Sequence, residues 1–179
     1  MEEQTLATEK IFEGRRINLR VDRVVLPSGR ETTREIAGYP NSVGIVALDD
    51  AENVILVRQY RHAVGKTLLE IPAGGMEEGE GPQQSARREF EEETGYTAAG
   101  MEQIGGIYAA PGYSTEFLHL YLATGLRPGP SRNDEDEAIE VVPVPLAEIP
   151  HLIRSGELCD GKSVVGLLTL LLYRGECGT

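Results

Sequence analysis

A mixed α/β domain, with a largely antiparallel or mixed sheet flanked by helices, is the fold class this sequence predicts. Three observations predict it. Short apolar segments, some alternating and some continuous, recur between Gly-, Pro- and Asp-containing turns, as strands do. A glycine-containing loop at Gly74 leads into a helical stretch dense in Glu and Arg. Two further helical patterns close the chain.

From the start of the chain, Ile17, Leu19 and Val21 alternate with Asn18, Arg20 and Asp22, and Pro27-Ser28-Gly29 turns this strand into a second one through Ile36. An N-terminal hairpin is expected. Ser42 to Leu48 and Asn53 to Tyr60 read as another strand pair, joined by the polar turn Asp49 to Glu52. Leu68 to Ile71 is a short strand that runs into the glycine loop and the acidic helix. Ile104 to Ala109 and Phe117 to Ala123 are strands on either side of the loop Ala110 to Glu116. A second acidic loop, Asn133-Asp134-Glu135-Asp136-Glu137, precedes a strand from Ile139 to Val144. Helices are expected over Leu146 to Ser155 and Ser163 to Tyr173. With no long linker and no repeats, residues 1–179 read as a single domain, with N-terminal strands in 1–40 and the core in 41–179.

Composition narrows the function classes. A chain of 179 residues with 40% hydrophobic and 26% charged residues can bury a core of ordinary size. Its formal charge of −12 argues against a duplex nucleic-acid binder, which needs a basic stripe. Cys159 and Cys177 have neither metal-ligand spacing nor a disulfide framework, and read as free thiols in a reducing compartment. The first residues lack the basic-then-apolar pattern of a secretory signal, and Val164 to Tyr173 is too short to span a bilayer. Cytoplasm is the expected location, with no membrane and no nucleic acid as partner. His62, His119 and His151 form no cluster in the sequence and carry no assigned chemistry.

The chemistry concentrates between Gly74 and Tyr96. Pro82 suits a first helical turn and Gly95 a left-handed cap. Between them, Glu89, Glu92 and Glu93 stand at i, i+3 and i+4, so their carboxylates share one face. Ala86 and Phe90 mark the neighbouring stripe toward the core. Like charges at this spacing destabilise a bare helix, and Arg88 alone cannot neutralise them. Oxygen-only ligands of this kind suit Mg²⁺, which takes one or two carboxylates together with phosphate oxygens and water. A solvated acidic face is the ordinary fate of a charge run. Here Gly74, Glu80, Arg88 and Gly95 would all have to coincide with it by accident.

The run Gly74, five residues, Glu80, seven residues, then Arg88-Glu89-Phe90-Glu91-Glu92-Glu93-Thr94-Gly95-Tyr96 meets every defined position of the Nudix box and resembles that of nucleoside diphosphate-linked hydrolases. Gln59-Tyr60-Arg61, Leu69-Glu70-Ile71-Pro72-Ala73-Gly74 and Pro111-Gly112-Tyr113-Ser114 with Glu116 are similar to the ADP-ribose pyrophosphatase branch. The resemblance covers roughly Ser28 to Val144. It implies a Nudix-type α/β/α sandwich with a mixed β-sheet and an N-terminal β-hairpin extension. It also implies Mg²⁺-dependent hydrolysis of ADP-ribose to AMP and ribose 5-phosphate, with Mn²⁺ as a substitute metal.

Site roles follow from the same resemblance. The carbonyl of Ala73 with Glu89, Glu92 and Glu93 would hold the metal, with Glu137 as a further ligand or reserve base. Glu135, in the second acidic loop, would deprotonate the attacking water. Gly74, Glu80, Arg88 and Gly95 would support the box. From side-chain chemistry rather than the resemblance, Arg61 would clamp phosphate or stack near the base, Arg34 would do similar work, and Glu70 and Glu116 would accept hydrogen bonds from adenine or ribose. A homodimer that exchanges N-terminal strands is implied as well. Two other readings remain. A related nucleoside diphosphate sugar such as GDP-mannose would use most of the same motifs. A silent ADP-ribose-binding sensor is the second, and the intact Glu89, Glu92 and Glu93 set counts against it.

Overall fold

The computed structural model describes residues 2–129 and 138–175. The chain divides into two compact units. The first comprises Met1–Asn41 and Tyr108–Phe117. Its sheet has the order β1 (Gln4–Glu13), β2 (Asn18–Val25) and β3 (Glu31–Gly38), each strand antiparallel to its neighbour. Strands β2 and β3 are the expected hairpin. β1 was not legible because its apolar residues do not alternate. All ten of its residues are exposed, and its register against β2 slips twice, between Thr5 and Ala7 and between Lys10 and Phe12. The Pro111-Gly112 loop folds back on β3, where the Ala37 N–H donates to the Tyr113 carbonyl at 2.7 Å and the Tyr39 N–H to Thr115 Oγ1 at 3.0 Å.

The second unit, Ser42–Ile107 and Leu118–Thr179, holds the remaining elements. They are β4 (Ser42–Ala47), β5 (Asn53–Arg61), β6 (Lys66–Glu70), β7 (Ala73–Gly75), α1 (Pro82–Thr94), β8 (Tyr96–Tyr108), β9 (Phe117–Pro128), β10 (Ile139–Pro145), α2 (Ile149–Ser155) and α3 (Gly161–Tyr173). Two sheets result, with the orders β10-β5-β6 and β7-β4-β9-β8. The second is mixed, since β4 runs parallel to β9 and antiparallel to β7.

One expectation is corrected here. β4 and β5 do not form a hairpin; they lie in different sheets, and an isolated bridge pairs Leu48, just past β4, with Val54 of β5. The reason is their composition. Val43 to Ala47 and Val54 to Val57 are buried throughout, so each strand needs apolar cover on both faces, which a two-stranded ribbon cannot supply.

That cover comes from helices on opposite sides. Val43, Ile45 and Ala47 of β4 pack with Ala86 and Phe90 of α1. Val46, between them in the strand, belongs to the cluster with Ile149, Leu152, Leu167, Leu170 and Leu171 of α2 and α3. β9 divides in the same way, with Tyr121 and Ala123 toward α1 and Leu118 and Leu120 toward α3. This is the two-residue period of strands serving two helical layers, an α/β/α sandwich. β8 starts directly after the helix cap rather than at Ile104. Ala98, Ala99, Met101 and Glu102 near its start are helix formers set among Tyr96, Thr97 and Gly100, and pairing with β9 overrides their preference.

Candidate active site

Helix α1 sets the geometry. Pro82 occupies its first turn, and Gly95 ends it at φ 69°, donating its N–H to the Glu91 carbonyl at 2.9 Å. Only glycine adopts that conformation at little cost. Ser85, Ala86, Phe90, Glu93 and Thr94 are the buried positions of the helix. A fully buried Phe90 contributes on the order of 2–3 kcal/mol and fixes the rotation of the helix about its axis. With that rotation set, Glu89 and Glu92 lie beside Arg88, and Glu93 turns toward the loop before α1.

Arg88 is the hub of this cluster. Its Nε donates to Glu80 Oε1 at 3.1 Å and its Nη2 to Glu80 Oε2 at 3.0 Å. Its Nη1 donates to Glu89 Oε1 at 2.8 Å and to Glu92 Oε2 at 2.9 Å, and its Nη2 also reaches the Gly75 carbonyl at 3.1 Å. Glu80 further accepts from Ser85 Oγ at 2.6 Å. The Arg88 hydrogen bonds hold the Glu80 carboxyl at a pKa of about 2, against the opposing effect of burial. The same partners, Glu80 first, push the Arg88 pKa upward, so the guanidinium keeps its charge. One cation faces three carboxylates, and the cluster retains negative charge.

The glycine loop completes it. β7 pairs with β4, setting Ala73 opposite Gly44 and Gly74 opposite Val43. The Ala73 N–H donates to Glu93 Oε2 at 3.0 Å. A Cβ built on Gly74 would stand 2.0 Å from the Glu89 carboxyl carbon, so the backbone touches that carboxylate where any side chain would displace it. Ala73, Glu89, Glu92 and Glu93 are therefore brought together, braced by Gly74, Glu80, Arg88 and Gly95. Among the described residues no three acidic, imidazole or thiol side chains converge on one point as they stand. Glu89 and Glu92 are drawn to Arg88, and Glu93 to the Ala73 N–H. The donor set is all oxygen and carries excess negative charge, which fits a hard divalent cation.

A second charged group lies at the end of β5. Arg61 Nε donates to Glu70 Oε1 at 3.0 Å and its Nη2 to Glu70 Oε2 at 2.8 Å. Lys162 Nζ, in the first turn of α3, also donates to Glu70 Oε2 and to Asp160 Oδ2, the latter at 2.9 Å. Glu70 is 1% exposed, and burial opposes its charge, yet Arg61 and Lys162 together hold its pKa below the ordinary carboxylate value. Arg61 is held charged chiefly by its hydrogen bond to Glu70, with Glu93 and Asp160 adding to it.

Comparison with known proteins agrees with this geometry. A family model of the NUDIX domain matches residues 38–161, and one of the nucleoside diphosphate sugar hydrolase N-terminal domain matches residues 3–36. The chain belongs to the Nudix family. An ADP-ribose pyrophosphatase of Bacillus subtilis (strain 168) is 41% identical to this Nudix protein over 96% of the chain and 94% of its own length. A methanol dehydrogenase activator of Bacillus methanolicus is 39% identical over the same shares. A crystal structure of an ADP compounds hydrolase superposes with a TM-score of 0.88, covering 98% of this chain and 97% of that one. At 24% identity this last likeness concerns the fold.

Two expected site residues belong to the first unit. Arg34 lies in the first unit of the Nudix protein, where its Nη2 and Nε donate to Glu3 at 2.6 and 3.1 Å on an exposed surface. Glu116 is in the same unit, its N–H donating to Ser114 Oγ at 3.2 Å. Glu70, expected to meet adenine or ribose, accepts hydrogen bonds from Arg61 and Lys162. Glu135 and Glu137 lie outside the described residues. Sequence reading missed Lys162, Asp160 and Ser163. A signal was present in Asp160-Gly161-Lys162-Ser163, an N-cap residue three positions before a serine, which starts α3 ahead of the expected Ser163.

Proposed function

We propose that this Nudix hydrolase cleaves ADP-ribose to AMP and ribose 5-phosphate by water attack on phosphorus, with Mg²⁺ as the cofactor and Mn²⁺ as a substitute. The observation that carries the reading is the set of helix carboxylates, with Glu89 and Glu92 on Arg88, Glu89 against the bare backbone of Gly74, and Glu93 on the Ala73 N–H. The 41% identity to an ADP-ribose pyrophosphatase supports the choice of substrate.

The Ala73 carbonyl and Glu89, Glu92 and Glu93 would hold the cation, with Glu137 as a further ligand. A bound divalent cation supplies electrostatic stabilisation of the diphosphate and of the charge on the leaving phosphate. Arg88 keeps the carboxylates oriented, and Glu80 fixes Arg88. Arg61 and Arg34 provide planar guanidinium donors for phosphate oxygens. The Arg34–Glu3 pair is exposed and worth about 0–1 kcal/mol, so an anionic substrate could take over Arg34 at small cost. Glu135 takes the proton of the attacking water, because a carboxylate free of metal is the better base. Glu116 accepts a hydrogen bond from adenine or ribose.

The protein acts as a homodimer in the cytoplasm. Support for the dimer comes from β1, where Leu6, Ile11 and Phe12 are exposed apolar side chains that a partner strand would cover. Among the described residues no helix is long and apolar enough to cross a membrane.

The test is product release from a panel of nucleoside diphosphate sugars, with Mg²⁺ and then with chelator. Metal-dependent AMP release with preference for ADP-ribose supports the reading. Preference for GDP-mannose keeps the mechanism and discards the substrate, and tight ADP-ribose binding without turnover under any metal leaves a sensor.

A further inference from the structure

We propose that Lys162 is a positioning residue for the reaction, acting through Glu70 to hold the Arg61 guanidinium in the orientation that receives the substrate's diphosphate. The inference rests on the diphosphohydrolase reading and extends it to residues beyond the matched Nudix segment, which ends at position 161.

Four charged groups alternate in sign along one chain of contacts. Arg61 is bound to Glu70, Glu70 to Lys162, and Lys162 to Asp160. Glu70 at the centre is buried, whereas the Arg61 side chain is 37% exposed. A buried carboxylate with one half-exposed partner would be poorly compensated, and Lys162 supplies the second cation. Held between them, Glu70 gives one oxygen to Arg61 Nε and the other to its Nη2. The fork uses Nε and one Nη2 hydrogen on Glu70, and among the described residues its other three N–H hydrogens make no hydrogen bond. Glu93 contributes to keeping Arg61 charged, so its negative charge is felt at this guanidinium.

The same helix start also steadies the glycine loop. Asp160 caps α3 by accepting from the Ser163 N–H at 3.1 Å and from Ser163 Oγ at 2.5 Å. Ser163 Oγ in turn accepts the Ile71 N–H at 2.8 Å, with Ser163 and Ile71 both fully buried. Ile71 lies two residues before Ala73, whose N–H meets Glu93. Residues 160–163 thus fix Arg61 through Lys162 and the approach to Ala73 through Ser163. A lysine serving only as a brace would add stability with no bearing on substrate affinity, which is what the experiment separates.

Steady-state kinetics of Lys162→Met, Lys162→Arg, Arg61→Gln and the Lys162→Met/Arg61→Gln double variant, on the best substrate of the wild-type protein, supply the first readout. Lys162→Met should raise KM by roughly tenfold with kcat within about threefold, and Lys162→Arg should recover most of the loss. In the Arg61→Gln background Lys162→Met should add less than about twofold, since no guanidinium remains to position. A lower melting temperature with unchanged KM, or full additivity in the double variant, would overturn the proposal. Lys162→Gln gives the same comparison if the methionine variant does not fold. A second readout needs no turnover. The Arg61 Nε–H proton, followed by NMR, should exchange at least about tenfold faster in Lys162→Met, and an unchanged rate counts against positioning. A wild-type protein inactive on every diphosphate sugar would defeat the proposed function, while the exchange measurement would still decide the role of Lys162.

Discussion

Arg88 and Glu80 are joined by two parallel hydrogen bonds, Nε to Oε1 at 3.1 Å and Nη2 to Oε2 at 3.0 Å, with the Glu80 side chain only 8% exposed. The fork locks one edge of the guanidinium to the loop and leaves Nη1 for Glu89 and Glu92. Removing the cation strands buried negative charge. Arg88→Ala should lower stability in urea on the order of 3 kcal/mol, whereas Arg34→Ala, from an exposed pair, should cost at most about 1 kcal/mol. Mg²⁺ should raise the melting temperature of Arg88→Ala more than that of wild type, by replacing part of the lost charge.

Glu93 is the box carboxylate tied to the loop backbone, through the Ala73 N–H. Glu93→Gln preserves volume and still offers an oxygen to that N–H. It should reduce kcat by roughly 100-fold or more while thermal unfolding changes little. Retained activity would sink the proposed cation site.

Gly74→Ala places a methyl 2.0 Å from the Glu89 carboxyl carbon. Either Glu89 or the strand must move, at about 1–3 kcal/mol, and a displaced ligand should cost on the order of 100-fold in turnover. Mn²⁺ titration followed by electron paramagnetic resonance should show weaker binding.

Glu135→Gln should lower kcat and leave Mn²⁺ affinity nearly unchanged, because a base removes a proton without holding the metal. Glu137→Gln should weaken metal binding instead. The reverse pattern would move the base by two positions.

Acid stability follows from Glu80. Its folded pKa of about 2 lies below the ordinary 4.5, so its contribution is fully present above pH 4.5 and is lost as pH falls toward 2. Denaturation midpoints of the wild type should drop through that window, and Glu80→Gln should show a flatter profile with a lower plateau at neutral pH.

Much of this was legible from residue order because the signals are local. Pro82 and Gly95 bound α1, and the i, i+3, i+4 spacing puts three carboxylates on one helix. The strands β2, β3, β5, β6, β9 and β10 lie close to their expected places for the same reason. β1 escaped notice because its apolar residues show no period, and the first half of β8 because Ala98, Ala99 and Gly100 interrupt its strand pattern.

The sequence by itself determined the family, the acidic helix and the residue types of the cation site, since each depends on neighbours within a few turns of chain. Tertiary structure alone decided that β4 and β5 part into different sheets, because strands buried on both faces need cover from distant helices. It also decided the partners of Glu70. A buried carboxylate must find cations wherever the fold brings them, and Lys162 arrives from 92 positions away along the chain.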